Sequence, residues 1–192
     1  MKARWIGRRL DYDGSQLRPH WILRTTGIVG DAIVAFRGAC RLPLAEFADL
    51  EDAIAEARIE GDDMVHFVLE RFDDGDLDRA TVRQRLLAAR TLEVVRELSG
   101  ARSARARLRR EGDDLFAGVG KLSISVATKS PVSSLIHLGV NVTTAGTPVR
   151  TASLAVLGVD PTVFAREVLA RTVREEESMA KARCKVVSRS GA

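Results

Sequence analysis

Lys121-Leu122-Ser123-Ile124-Ser125-Val126-Ala127 and Ile136-His137-Leu138-Gly139-Val140-Asn141-Val142 are the two stretches whose reading decides the fold class. In the first, Leu122, Ile124 and Val126 alternate with Lys121, Ser123 and Ser125; in the second, Ile136, Leu138, Val140 and Val142 alternate with His137, Gly139 and Asn141. A period of two sends successive side chains to opposite faces of a strand. The linker between them contains Ser130-Pro131, a turn signal, so an antiparallel pair is expected. If the two apolar faces share a core, Lys121, Ser123, Ser125, His137 and Asn141 share the opposite face. That face is polar and lightly charged, and its small residues leave room for a ligand.

Helices flank this pair in the sequence. Asp76 to Leu98 carries a stripe of Ala80, Leu87, Thr91, Val94 and Leu98, with Arg85, Glu93 and Arg96 opposite and Gly100 as the stop. Asp160-Pro161 opens a second helix, with an N-cap carboxylate followed by proline at the first helical position, where a missing amide costs nothing. Phe164, Val168, Thr172 and Val173 form its buried stripe, and charged residues continue to Ala180. Asp49 is expected to cap a further helix through Leu50, Ala53, Ile54 and Ala57 towards Gly61, whereas Met64 to Phe72 fits a buried strand or a short helix. Asp31 to Phe36, ending at Arg37-Gly38, reads as an apolar strand, and Trp21-Ile22-Leu23 as another strand-like piece after a turn at Asp13-Gly14-Ser15. The tail from Arg183 to Ser188 is read as an edge strand.

Composition narrows the class. At 192 residues, 45% apolar and 29% charged, the chain is expected to fold as one globular domain. The run from Leu122 to Thr147 is interrupted by Lys129, His137, glycines and a proline, so it reads as strands and not as a membrane span. Charged sequence follows Met1 directly, and Cys40 and Cys184 stand far apart with no Cys-x-x-Cys spacing. Both features fit a cytoplasmic protein with no zinc site and no disulfide framework. A net charge of +4 is a mild excess.

From about Ala80 to Glu177 the order of elements resembles the catalytic domain of biotin protein ligases. In those proteins a helix precedes a strand with a Lys-Trp-Pro-Asn-Asp-like motif. A short hairpin, a lysine-bearing strand, a Gly-x-Gly-x-Asn-Val strand, an Ala-Thr-Ser-Leu segment and a final helix follow. Here the matching stretches are Arg109-Arg110-Glu111-Gly112-Asp113-Asp114-Leu115-Phe116, Gly120-Lys121-Leu122-Ser123, His137-Leu138-Gly139-Val140-Asn141-Val142 and Thr151-Ala152-Ser153-Leu154. Lipoate ligases and octanoyltransferases have a similar lysine strand. The resemblance implies an α/β (α+β) fold with a mixed, largely antiparallel sheet flanked by helices, like that of biotin/lipoate ligases and class II synthetases. It places Lys121 as the residue contacting the acid's carboxylate or adenylate, where a cation offsets developing charge, Arg110 as the upstream basic residue and Asp113-Asp114 as the Asn-Asp pair. Departures are clear: Glu111-Gly112 replaces Trp-Pro, Asp113 replaces asparagine, and the Gly-Arg-Gly-Arg loop has its nearest counterpart in Phe36-Arg37-Gly38-Ala39. Tyr12-Asp13-Gly14-Ser15-Gln16-Leu17-Arg18, Phe36-Arg37-Gly38 and the stretch from Ser130 to Gly139 are similar to the family catalogued as domain of unknown function 366.

The function expected from this reading is binding of a small carboxylate or nucleotide-like ligand, with acyl or adenylyl transfer as the accompanying chemistry and ATP as the candidate cofactor. Lys121 is the candidate catalytic residue, and Arg37, Arg110, Asp113, Asp114, Ser123, Ser125, His137 and Asn141 are the candidate ligand contacts. No metal ligands are expected. Two readings compete: an RNA-binding module using Arg102, Arg105, Arg107, Arg109 and Arg110, and an inactive binding or scaffold protein. Absence of aromatics interleaved with those arginines favours a solvated surface over a nucleic-acid groove. The sequence leaves a homodimer open. Asp11-Tyr12-Asp13 reads as a turn in preference to a metal site.

Overall fold

The computed structural model describes residues 1–73, 76–100 and 107–187. Strands β1 (Lys2–Arg9), β2 (Ala32–Arg41), β3 (Glu60–Arg71), β7 (Ser123–Lys129) and β8 (Ser134–Asn141) form one sheet in the order β1-β2-β3-β8-β7. β1 runs parallel to β2, and every other pairing in that sheet is antiparallel. A second sheet holds β4 (Leu108–Glu111), β5 (Asp114–Ala117) and β6 (Gly120–Lys121). Helices α3 (Leu77–Leu98) and α4 (Pro161–Cys184) cover one face of the large sheet. Two short helices, α1 (Trp21–Thr26) and α2 (Leu50–Ile54), complete the described elements together with a 3-10 turn at Leu44–Glu46.

Both faces of the large sheet are buried, and this explains the unbroken apolar run in β2. Ile33 and Ala35 pack on the helix side with Val65, Phe67 and Leu69, Leu138 and Val140, and with Phe164 and Val168 of α4. Ala32, Val34 and Phe36 pack on the other side with Met64, Val68, Tyr12 and Ile22. A strand buried on both sides reads as continuous hydrophobicity. The same two-sided burial resolves the segment from Met64 to Phe72, which is the strand β3.

α3 and α4 follow their stripes. Ala80, Leu87, Thr91 and Val94 are buried, as are Phe164, Val168 and Thr172. The Asp76 carboxylate accepts from the amides of Asp78 and Arg79, and that of Asp160 from those of Thr162 and Val163. Three expectations are corrected. Trp21 to Thr26 is a helix, because Gly27 at φ 72 closes the turn by donating to the Leu23 carbonyl. α2 stops at Ile54 and does not reach Gly61: Leu50 and Ile54 are 74% and 84% exposed, so little packing supports a longer helix. The tail forms no strand, because α4 runs to Cys184 and Lys185 to Val187 follow as irregular chain; Ser188 lies outside the described residues.

Gly38 brings the segment after β1 close to β2. A Cβ there would fall 1.8 Å from the Leu10 carbonyl oxygen. This approach lets Tyr12 pair with Cys40, its amide donating to the Ala39 carbonyl and its carbonyl accepting from Arg41. Tyr12 is thereby set beneath the outer face of β3 and β8.

Candidate functional site

β6 is two residues long, and backbone on both sides fixes it. The Lys121 amide donates to the Arg150 carbonyl at 3.1 Å, and the Ala152 amide donates to the Lys121 carbonyl at 3.0 Å. Asn141 reinforces the junction: its side-chain amide donates to the carbonyls of Lys121 and Ala152, both at 3.2 Å. Gly120 is required for this closeness, since a Cβ would meet the Ala152 nitrogen and the Thr151 carbonyl carbon at 2.8 Å. Gly120→Ala is therefore expected to destabilise the fold by about 2 kcal/mol, as overpacking against rigid surroundings does, which urea denaturation measures.

The Lys121 side chain lines a cleft of about 390 Å³ between the two sheets and the loops around Glu46–Asp52 and Thr147–Thr151. That size lies within the usual range for small-molecule sites. The Lys121 ammonium lies 2.8 Å from Asp114 Oδ2. An ammonium has three donors, so two remain for a ligand. Burial pushes the Asp114 carboxyl above the ordinary carboxylate range and neighbouring Asp113 adds to the rise, while Lys121 pulls the other way. Arg85 holds Asp113 at 2.7 Å, with Gln84 on its second oxygen.

Asp113, Asp114, Lys121, Ser123, Ser125, His137 and Asn141 all line this cleft, but the polar residues do not share one face of the sheet. Ser123 pairs with Val140 and Ser125 with Leu138, while Ile124 pairs with Gly139 and Val126 with His137. Residues paired across a ladder point the same way. Ser123 and Ser125 therefore face the helices, and His137, Gly139 and Asn141 face away from them. The physical reason is a break in the strand at Leu122. Leu122 and Ser123 are both buried and both reach Leu115, the first by its amide to the Leu115 carbonyl and the second by its hydroxyl, which accepts from the Leu115 amide. The cleft reaches both faces because β7 is the edge of its sheet. Both hydroxyls are also engaged within the protein, since Ser125 donates to the His137 carbonyl and accepts from Gln84.

The floor of the cleft is aromatic. The Tyr12 ring stacks on His137 with centroids 3.6 Å apart and planes within 5°. Behind it, His66 Nδ1 lies 3.1 Å from His137 Nε2. Both imidazoles are fully buried, and burial lowers both pKa values, that of His66 to about 4 and that of His137 well below its usual value. Burial likewise raises the Tyr12 hydroxyl far above its ordinary range and pushes the Cys40 thiol up to about 12. This floor is chemically neutral at physiological pH.

Arg37 and Arg110 lie outside the cleft. Arg37 is in phase with Ile33 and Ala35 on the helix side of β2 and forks onto Asp63, with Nε 2.8 Å from Oδ1. Arg110 is exposed on β4 and contacts the Gly112 carbonyl. Within the basic run, Arg102 and Arg105 lie outside the described residues. Arg109 stacks over Phe116, its partner across β4 and β5, at 4.4 Å and pairs with Glu111. Cys184 is exposed at the last turn of α4 and does not line the cleft. Cys184→Ser is expected to leave ligand affinity within about twofold of wild type, as befits a surface change with no named mechanism, checked by calorimetry.

Sequence reasoning missed Tyr12 and His66. Tyr12 is the sole tyrosine of the chain, and His66 interrupts an otherwise apolar strand core. A polar ring in a run buried on both sides was the available signal.

The sheet, its helices and the lysine strand beside a cleft define the fold of the biotin and lipoate protein ligases. The chain superposes on the biotin protein ligase from Aquifex aeolicus in complex with biotin and ATP with a TM-score of 0.57 at 13% identity, covering 89% of this chain and 69% of that one. It superposes on Ta0514, a putative lipoate protein ligase from T. acidophilum with bound lipoic acid, with a TM-score of 0.52 at 18% identity, covering 91% and 86%. At those identities the likeness is one of fold. More specifically, the chain belongs to the family described as domain of unknown function (DUF366), whose model matches residues 1–187. A protein of unknown function from Pyrococcus horikoshi superposes with a TM-score of 0.89 at 41% identity over 97% of this chain and 98% of that one. The uncharacterized protein MJ0805 of Methanocaldococcus jannaschii is 37% identical over 164 residues, 83% of this chain and 72% of the relative. Among the described residues no helix is long and apolar enough to cross a membrane, and no group of three or more acidic, histidine or cysteine side chains is placed to hold a metal ion.

Proposed function

We propose that this protein binds a small ligand with a carboxylate or nucleotide-like anionic group in the cleft beside Lys121, and that acyl or adenylyl transfer is the chemistry this binding serves. The observation that carries the reading is the placement of Lys121. Its backbone is clamped by β5, Asn141 and the Arg150–Ala152 segment, while its ammonium keeps two donors for a ligand. A cation fixed in advance stabilises charge that develops during transfer without reorganising. Asp113, Asp114 and His137 supply further polar contacts, and the stacked Tyr12–His137 floor gives an apolar surface for the remainder of the ligand. Arg37 and Arg110, held by Asp63 and Gly112, are assigned no part in binding. A cytoplasmic location suits a protein acting on a dissolved metabolite.

The neighbouring folds bind biotin, lipoic acid or ATP, so these are the first ligands to test. The test is mass spectrometry of small molecules released on denaturing the purified protein, followed by calorimetric titration with each acid found and with magnesium ATP. A stoichiometric acid or nucleotide that rebinds saturably supports the reading. A protein that carries none, and that takes up neither acid nor nucleotide at millimolar concentration, contradicts it.

A further inference from the structure

The charged residues of the loop after β2 stand at the mouth of the cleft, and its apolar lining lies against the sheet. Glu46, Asp49, Asp52, Arg58 and Glu60 line it and none of them is buried, whereas Tyr12, Met64 and His137 on the sheet side are. Ile124 and Val126 of β7, paired with Gly139 and His137, continue that side. An apolar group entering the cleft is driven towards the sheet, where it leaves water.

Met64 crosses this floor. It projects from β3 on the side away from the helices, opposite Asn141 of β8. Its thioether runs from Gly61 to Gly139. A Cβ on Gly61 would fall 3.0 Å from Met64 Sδ, and a Cβ on Gly139 would fall 3.0 Å from Met64 Cε and 3.1 Å from Ile124 Cγ1. Any side chain at either glycine would push the thioether aside. Gly139 lies between His137 and Asn141 on one face of β8 and has no side chain to fill its place. Both flanking residues line the cleft whereas Gly139 does not, the Met64 methyl lying over it. Methionine suits such a place, because an unbranched, polarizable side chain fills an irregular gap.

The way inward from Lys121 leads to this hollow. The Asn141 side chain holds the Lys121 carbonyl, and Gly139 stands two residues back along the strand, a distance of about 7 Å. The body of a linear acid whose carboxylate sits on Lys121 therefore meets the Met64 methyl. We infer that Met64 is the specificity-determining residue of this cleft: it closes the apolar channel over Gly139 and limits the ligand to a short chain, a role that rests on the reading of Lys121 as the carboxylate contact.

The test titrates straight-chain carboxylates from acetate to decanoate, one carbon at a time, into the wild-type protein and Met64→Ala by calorimetry. Wild-type affinity is expected to rise by roughly fourfold per buried methylene to an optimum and to fall beyond it. Met64→Ala removes Cγ, Sδ and Cε, so its affinity should go on rising at the same rate for about two or three carbons more. A methionine that only packs the core would instead lower affinity for every length alike. An optimum at the same length in both proteins, or a wild-type affinity still rising at decanoate, overturns the inference and leaves the carboxylate reading standing. If no acid of any length binds either protein, the carboxylate reading itself fails, and the inference with it. Should Met64→Ala misfold, Met64→Leu conserves volume, a change that cores tolerate, and its shorter reach should move the optimum by about one carbon. An unchanged optimum in that variant overturns the inference equally.

Discussion

Lys121→Ala is expected to weaken binding of the cleft's ligand by about 1.5–3 kcal/mol, or roughly ten- to a hundredfold in affinity, the range for a hydrogen bond to a charged group. Stability should hardly move. The pair lost is Lys121 with Asp114, whose side chains are 35% and 31% exposed, and such ion pairs contribute about 0–1 kcal/mol. For a chain of this size that is a shift in Tm of less than about 4 °C. The contacts that hold the β6 backbone come from β5, Arg150, Asn141 and Ala152, and none requires the lysine side chain. A strand face with no ligand predicts the opposite pattern, in which affinity is untouched. Calorimetry and thermal melting of the one variant separate the two.

The second large effect is acid lability centred on the buried histidines. His66 and His137 are neutral in the fold because burial disfavours their charged forms. Between the folded value of about 4 for His66 and the ordinary value of 6.5, the unfolded chain therefore binds more protons than the folded one. Stability then rises with pH across that window and is lost as pH falls through it. His66 alone should account for about 3 kcal/mol between pH 6.5 and pH 4, and His137 adds to the loss. Asp63 and Asp73, whose carboxyls are held low by Arg37 and Arg83 against the cost of burial, add their losses at lower pH. Denaturant midpoints that stay level from pH 7 to pH 5 would contradict a neutral buried pair.

The parts of the fold legible in the sequence are those set by local rules. Asp76 and Asp160 cap their helices, and the stripes on α3 and α4 are buried because helical spacing alone determines which residues share a side. Alternation correctly marked β7 and β8 as strands, and Lys121, Ser123, Ser125, His137 and Asn141 do line one cleft. Alternation could not say how the two strands register. The break at Leu122 moves Ser123 and Ser125 to the helix side, and that break depends on Leu115 of another strand. The floor was invisible for a similar reason. Tyr12, His66 and His137 come from three distant segments, and their stacking depends on Gly38 admitting the chain at Leu10. Arg37 illustrates the converse: its phase with Ile33 and Ala35 already put it on the helix side, but the resemblance to an arginine loop outweighed the period.

We propose the cleft beside Lys121 as the place where this protein holds its ligand. The most direct measurement is a crystal structure with the molecule that purifies with the protein or the acid that stabilises it most. That molecule is expected to lie on the Tyr12–His137 floor, with an anionic oxygen within about 3 Å of Lys121 Nζ, as for a charge-assisted hydrogen bond. A ligand bound elsewhere, with the Lys121–Asp114 pair undisturbed, would contradict it.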